Sequence, residues 1–158
     1  MLTIFVELIL LAVCLLLTGR KAKHVFFFNR KSIFLGILFG LLYVSVIFLV
    51  KQTNIGFLVL QQFVTGIGLP LVLLYTIYPL AIALSEEFVF RYFLVRKIGV
   101  FLAVLTFTIF HWRPNFPTPL FILIFIFGFS QVWLFKKTKT IWSVVIAHLF
   151  VTYAVLLI

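Results

Sequence analysis

Apolar runs occupy roughly 2–18, 32–50, 55–95, 98–112, 118–135 and 140–158 of this 158-residue chain. Polar residues are confined to short tracts between them. Basic clusters follow the first run (Arg20, Lys21, Lys23, Arg30, Lys31), the third (Arg96, Lys97) and the fifth (Lys136, Lys137, Lys139). Only Lys51 and Arg113 follow the second and fourth. Heavily and lightly charged loops therefore alternate, which predicts six membrane crossings with both termini outside. Nothing basic precedes the first run, so it reads as a retained anchor and not a cleaved signal.

The third run is too long for one crossing at 1.5 Å per residue. Its first part, IGFLVLQQFVTGIG, reads as an interfacial or re-entrant piece, followed by a tilted helix from about Leu69 to Lys97. RPNFPTP is the one proline-rich break and predicts a tight, irregular turn. The organisation expected is an N-terminal transmembrane pair with a basic inner loop (1–54), then a transmembrane core (55–158). The fold class is all-α, a polytopic helix bundle of about six spans.

Composition agrees with the pattern. The chain is 65% hydrophobic and only 10% charged, with mean hydropathy +1.33, whereas soluble domains are about a quarter charged. The net charge of +10 lies in the loops, so the bilayer is the partner it implies, and not nucleic acid. Cys14 is the sole cysteine and reads as a small buried hydrophobe. Neither a disulfide framework nor a thiolate metal site can be built from it.

Three acidic residues are present, and two of them, Glu86 and Glu87, are adjacent within LSEEFVFRYFL. A carboxylate at the bilayer centre costs on the order of 2.5–3.5 kcal/mol, so it faces the protein interior and usually serves a function. Glu87 and Arg91 are four apart on one helical face and neutralise each other. Glu86 points about 100° away, with no partner in its own segment. Two histidines, His111 and His148, stand in later apolar runs. Counted along each helix, Glu86 lies about 16 Å from Lys97, His111 about 18 Å from Gly99 and His148 about 14 Å from Lys139. A lone membrane histidine usually makes a helix-packing hydrogen bond. Three ionisable groups at one level on three spans point instead to a shared site. Phe107 and Thr152 fall on the faces of His111 and His148, four residues away in each case. Glu7, near the outer end of its span and able to reach the interface, and His24, in the basic inner loop, read as structural or topological.

An unpartnered carboxylate, two imidazoles and a hydroxyl suit activation of a water. A desolvated carboxylate is a competent general base, and His111 can hold the water or relay its proton. His148 with Thr152 can donate to an oxyanion. Ser85 adjoins the acidic pair, yet there is no G-x-S-x-G. Glu86, His111 and His148 also form a chemically possible metal set, without an H-E-x-x-H. Metal-free acyl hydrolysis is the first expectation, with no cofactor, and metal-assisted hydrolysis the second.

These residues resemble the CPBP family of intramembrane proteases, which includes CAAX prenyl endopeptidases and bacteriocin-processing and self-immunity proteins. Glu86, Glu87 and Arg91 are similar to its E-E-x-x-x-R motif, Phe107 and His111 to F-x-x-x-H, and His148 with Thr152 to its closing motif. The resemblance covers about residues 70–158, with the family core in the last four spans. It implies a glutamate-dependent endopeptidase acting on a membrane-associated peptide or lipidated protein, in a cell membrane and of bacterial origin. Glu86 would be the base with His111 assisting; His148 and Thr152 would form the oxyanion hole; Glu87, Arg91 and Phe107 would brace the site. Position 152 is Thr where Asn is common, Tyr92 stands where a small residue is frequent, and the chain is short. The competing expectation is a catalytically idle immunity or scaffold protein that binds a peptide or receptor. A transporter is a weaker third reading, because no repeat symmetry is visible.

Overall fold

In hydrocarbon a backbone must satisfy its own hydrogen bonds, which leaves a chain of this composition the choice of helix or closed barrel. The computed structural model describes residues 2–53, 76–112 and 118–156, and these are helical apart from short connecting segments, without strands. Helix α1 spans Leu2–Thr18, and a 3-10 turn, Gly19–Val25, follows it. Helix α2 spans Arg30–Lys51. Helix α3 is composite: α-helical over Ile77–Glu86, π-helical over Glu87–Leu94 and α-helical again over Val95–Ile98. Helices α4 (Val100–Phe110), α5 (Thr118–Thr138) and α6 (Ile141–Leu156) complete the bundle.

The all-α expectation holds among the described residues. Two helices, α2 and α5, are long and apolar enough to cross a membrane. Helix α4 has only 11 residues, about 16 Å of rise. Gly99, at φ +85°, separates it sharply from α3. The expected helix to Lys97 is present from Ile77 onward, but its centre is a π-helix and not the regular α-helix assumed from spacing. The re-entrant reading of IGFLVLQQFVTGIG, the proline-rich turn and the side chain of Glu7 lie outside the described residues.

The bundle is apolar on the outside as well as within. Leu16 is 83% exposed and Leu49 70%, as expected where the surroundings are lipid tails. Close approach therefore has to come from small residues. Gly36 and Gly40, four apart on α2, supply it: a Cβ on Gly36 would lie 2.6 Å from the Ser143 carbonyl oxygen, and one on Gly40 2.7 Å from the Phe150 side chain. No larger residue fits there, and α2 lies along α6 as a result.

Polar bonds close the rest of the frame. Asn29 caps α2 by accepting from the Ser32 amide at 2.7 Å. The Tyr43 hydroxyl hydrogen-bonds Ser130 on α5. Cys14 is buried, as its apolar setting predicts.

Candidate active site

Four helices build the polar interior. Helix α3 carries Glu86, Glu87 and Arg91, all buried; α4 ends at His111; α6 carries His148; and α1 supplies the apolar Leu10 beside Glu86. The π-helical stretch begins at Glu87. Its wider turn replaces i→i+4 backbone bonding where both carboxylates point inward, a distortion often found at functional sites.

Glu87 is the structural hub. Its Oε2 lies 3.0 Å from Arg91 Nε, and its Oε1 accepts from Arg91 Nη2 at 3.5 Å. The same Oε1 lies 2.8 Å from His148 Nδ1. A carboxylate only accepts, so Nδ1 carries the proton and Nε2 is turned towards Glu86, 3.9 Å from Oε2. Spacing within one helix predicts the Arg91 pair. The His148 contact joins residues 61 apart in sequence, and no local pattern signals it.

Glu86 faces imidazoles alone, with no arginine in ion-pair contact among the described residues. Its Oε2 has no hydrogen-bond partner among the described residues and faces His111 Nε2 at 3.5 Å. His111 Nδ1 lies 2.9 Å from the Phe107 carbonyl oxygen. That carbonyl can only accept, so in the neutral ring the proton is on Nδ1 and Nε2 presents a lone pair. Glu86 Oε2 and His111 Nε2 are thus two acceptors facing each other, and a water has the two protons needed to bridge them. A cavity on the order of a single water in size adjoins Glu86, lined by Leu10, Ser85, Glu86, Val89, Phe90 and Phe110. The Ser85 hydroxyl donates to the Ile82 carbonyl at 3.1 Å.

Aromatic rings wall the cluster. The Arg91 guanidinium lies 4.0 Å from the Phe107 ring centroid, and the His111 ring packs against the same phenylalanine at 4.3 Å between centroids. Phe127 from α5 presents its edge to His148 at 5.5 Å. Within the FIFGF stretch of α5, Phe127 packs on the site, against both His148 and Phe107. Thr152 stands one turn beyond His148, but its hydroxyl donates to the His148 carbonyl at 3.1 Å and not into the space beside Nε2. Among the described residues no group of three His, Cys, Asp or Glu side chains is disposed to hold a metal ion.

With His148 protonated the cluster is neutral: Glu86 and Glu87 against Arg91 and His148. Such a set, buried inside a helical bundle, is equipped for proton transfer out of contact with bulk water. Residues 68–154 match the model of a protease family, described as Type II CAAX prenyl endopeptidase Rce1-like. That is more than half of the chain, and the protein belongs to this family of CPBP intramembrane proteases. Family membership makes it a membrane-embedded, CAAX-type peptide hydrolase. No curated protein and no solved structure matches the chain.

Proposed function

We propose that the protein is a glutamate-dependent intramembrane endopeptidase in which Glu86 activates the hydrolytic water. The observation that carries this reading is Glu86 Oε2, without a hydrogen-bond partner and within 3.5 Å of His111 Nε2 and 3.9 Å of His148 Nε2. Water held between Glu86 and His111 attacks the scissile carbonyl carbon, and Glu86 takes its proton. The carbonyl oxygen becomes an oxyanion beside His148, which donates from Nε2 while Nδ1 remains bonded to Glu87; the ring carries both protons to do so. The C–N bond then breaks, and the proton on Glu86 passes to the leaving amine. The products are a carboxylic acid, which keeps the second proton of the water until it ionises, and an amine. Glu87 and Arg91 are positioning residues in this scheme, and Phe107 backs both Arg91 and His111. The substrate class is a membrane-associated peptide or lipidated protein, through CAAX-type processing or bacteriocin processing and immunity. The setting is a bacterial cell membrane crossed six times, with both termini outside.

One observation favours the idle-binder alternative. The Thr152 proton is committed to the His148 carbonyl, so the second oxyanion donor is in place only after that side chain rotates.

The test uses purified protein in lipid, as the unmodified chain and as Glu86→Gln, against quenched prenylated and unmodified peptides with and without a chelator. A general base contributes typically 10²–10⁴-fold, so Glu86→Gln should lose cleavage by about that factor while melting normally. Loss of cleavage with chelator would convert Glu86, His111 and His148 into metal ligands. Full biological activity of Glu86→Gln in the host would leave the binding role standing.

A further inference from the structure

We propose that the basic end of the bundle is a binding surface for anionic phospholipid headgroups, assembled from three segments far apart in sequence. The charge pattern along the chain speaks only to orientation. What the fold adds is that the three basic clusters are bonded into one collar. The Tyr92 hydroxyl donates to the Lys21 carbonyl at 2.9 Å. The Thr140 hydroxyl, in the α5–α6 turn, bonds the carbonyls of Val25 and Phe27 at 3.1 and 2.7 Å. Trp142 Nε1 donates to the Phe26 carbonyl at 3.0 Å. The 3-10 turn after α1, the end of α3 and the α5–α6 turn thereby share one rim.

The chemistry of that rim is one-sided. Nine Lys and Arg side chains there are exposed, while all three carboxylates of the chain, Glu7, Glu86 and Glu87, lie elsewhere in the sequence. Nine like charges repel one another unless anions lie between them. Lys139 has φ +61°, a left-handed conformation that glycine or asparagine adopts with less strain; a cation stands there instead. Aromatic rings lie at the same level. Lys137 Nζ is 4.6 Å from the Trp133 ring centroid and Arg96 Cζ 4.1 Å from that of Tyr92. Phe28 is 63% exposed and stacks on Trp142 at 4.3 Å. Cations interleaved with rings at the end of a transmembrane bundle match the headgroup layer, where phosphates meet the first methylenes. A soluble acidic partner would leave Phe28 and Trp133, 63% and 49% exposed, facing water.

This inference does not depend on the protease reading, and its test needs no activity. In a Trp112→Phe background only Trp133 and Trp142 fluoresce, both near the collar. The protein is placed in phosphatidylcholine vesicles doped with equal small fractions of brominated phosphatidylglycerol or brominated phosphatidylcholine. Preferential quenching by the phosphatidylglycerol is expected, with local enrichment of about fivefold or more. It should weaken with added NaCl and in the triple variant Lys136→Gln, Lys137→Gln, Lys139→Gln, and be untouched by Lys51→Gln at the other end of α2. Equal quenching by the two lipids overturns the proposal, as does a preference that survives the triple variant. Relief of quenching by soluble glycerol phosphate beyond that of NaCl at equal ionic strength would make the site a phosphate pocket and not a lipid surface. Should the triple variant fail to fold, the salt titration on the parent chain decides.

Discussion

Replacing Glu87 by glutamine tests whether one buried carboxylate organises the whole cluster. Glu87 and Arg91 are both fully buried, so their attraction is weakly screened. At 3.0 Å and an effective dielectric constant of about 20, Coulomb's law gives about 5.5 kcal/mol. Breaking a buried pair from one side costs about 3–5 kcal/mol in measured cases, because the remaining charge is left uncompensated. Geometry adds to this. Oε1 accepts from Arg91 Nη2 and faces His148 Nδ1, while Oε2 lies against Arg91 Nε, so an amide that keeps its oxygen at the Oε1 position must turn its NH₂ group towards the Arg91 guanidinium. A loss of about 3–5 kcal/mol lowers the melting temperature of a chain this size by about 6–20 °C. The assay is thermal unfolding in detergent followed by far-UV circular dichroism. Glu86→Gln is the control: Glu86 makes no hydrogen bond through Oε2, and it should melt close to the unmodified chain. The double variant Glu87→Gln, Arg91→Met should regain part of the loss, since the stranded charge is gone. A Glu87→Gln protein that melts within about 3 °C of the parent would refute the reasoning, for it would mean that Arg91 does not depend on Glu87 for its charge.

Two further outcomes follow from particular side chains. Thr152 donates its only proton to the His148 carbonyl, so Thr152→Val should lower kcat by less than about tenfold, against the 10²–10³ typical of a lost oxyanion donor; a hundredfold loss in steady-state kinetics would show that the hydroxyl rotates to the oxyanion during turnover. Gln131 is fully buried in α5 with neither amide atom hydrogen-bonded among the described residues. Relieving such a group is worth about 1–3 kcal/mol, so Gln131→Leu should raise the melting temperature, and a fall would show that the amide is engaged.

The sequence by itself determined the helical class, the division of Glu86 from Glu87 and the candidate cluster. Those readings rest on local rules: insertion cost for a carboxylate, i,i+4 pairing for Glu87 with Arg91, and rise per residue for depth. The helical class holds among the described residues, because a helix in lipid has little freedom to be anything else. The tertiary structure alone decided what those residues do to one another. Glu87, paired on paper with Arg91, also holds His148 across 61 residues. Thr152, placed on the right face by spacing, turns its proton back on its own helix. The π-helical stretch through Glu87 and Arg91 departs from the regular helix that spacing assumes, and the joining of three basic tracts into one rim arises between segments. Periodicity along one helix says which face a side chain occupies. It carries no information about which distant helix that face will meet, because packing between helices is settled by small residues such as Gly36 and Gly40 and by a few interhelical bonds.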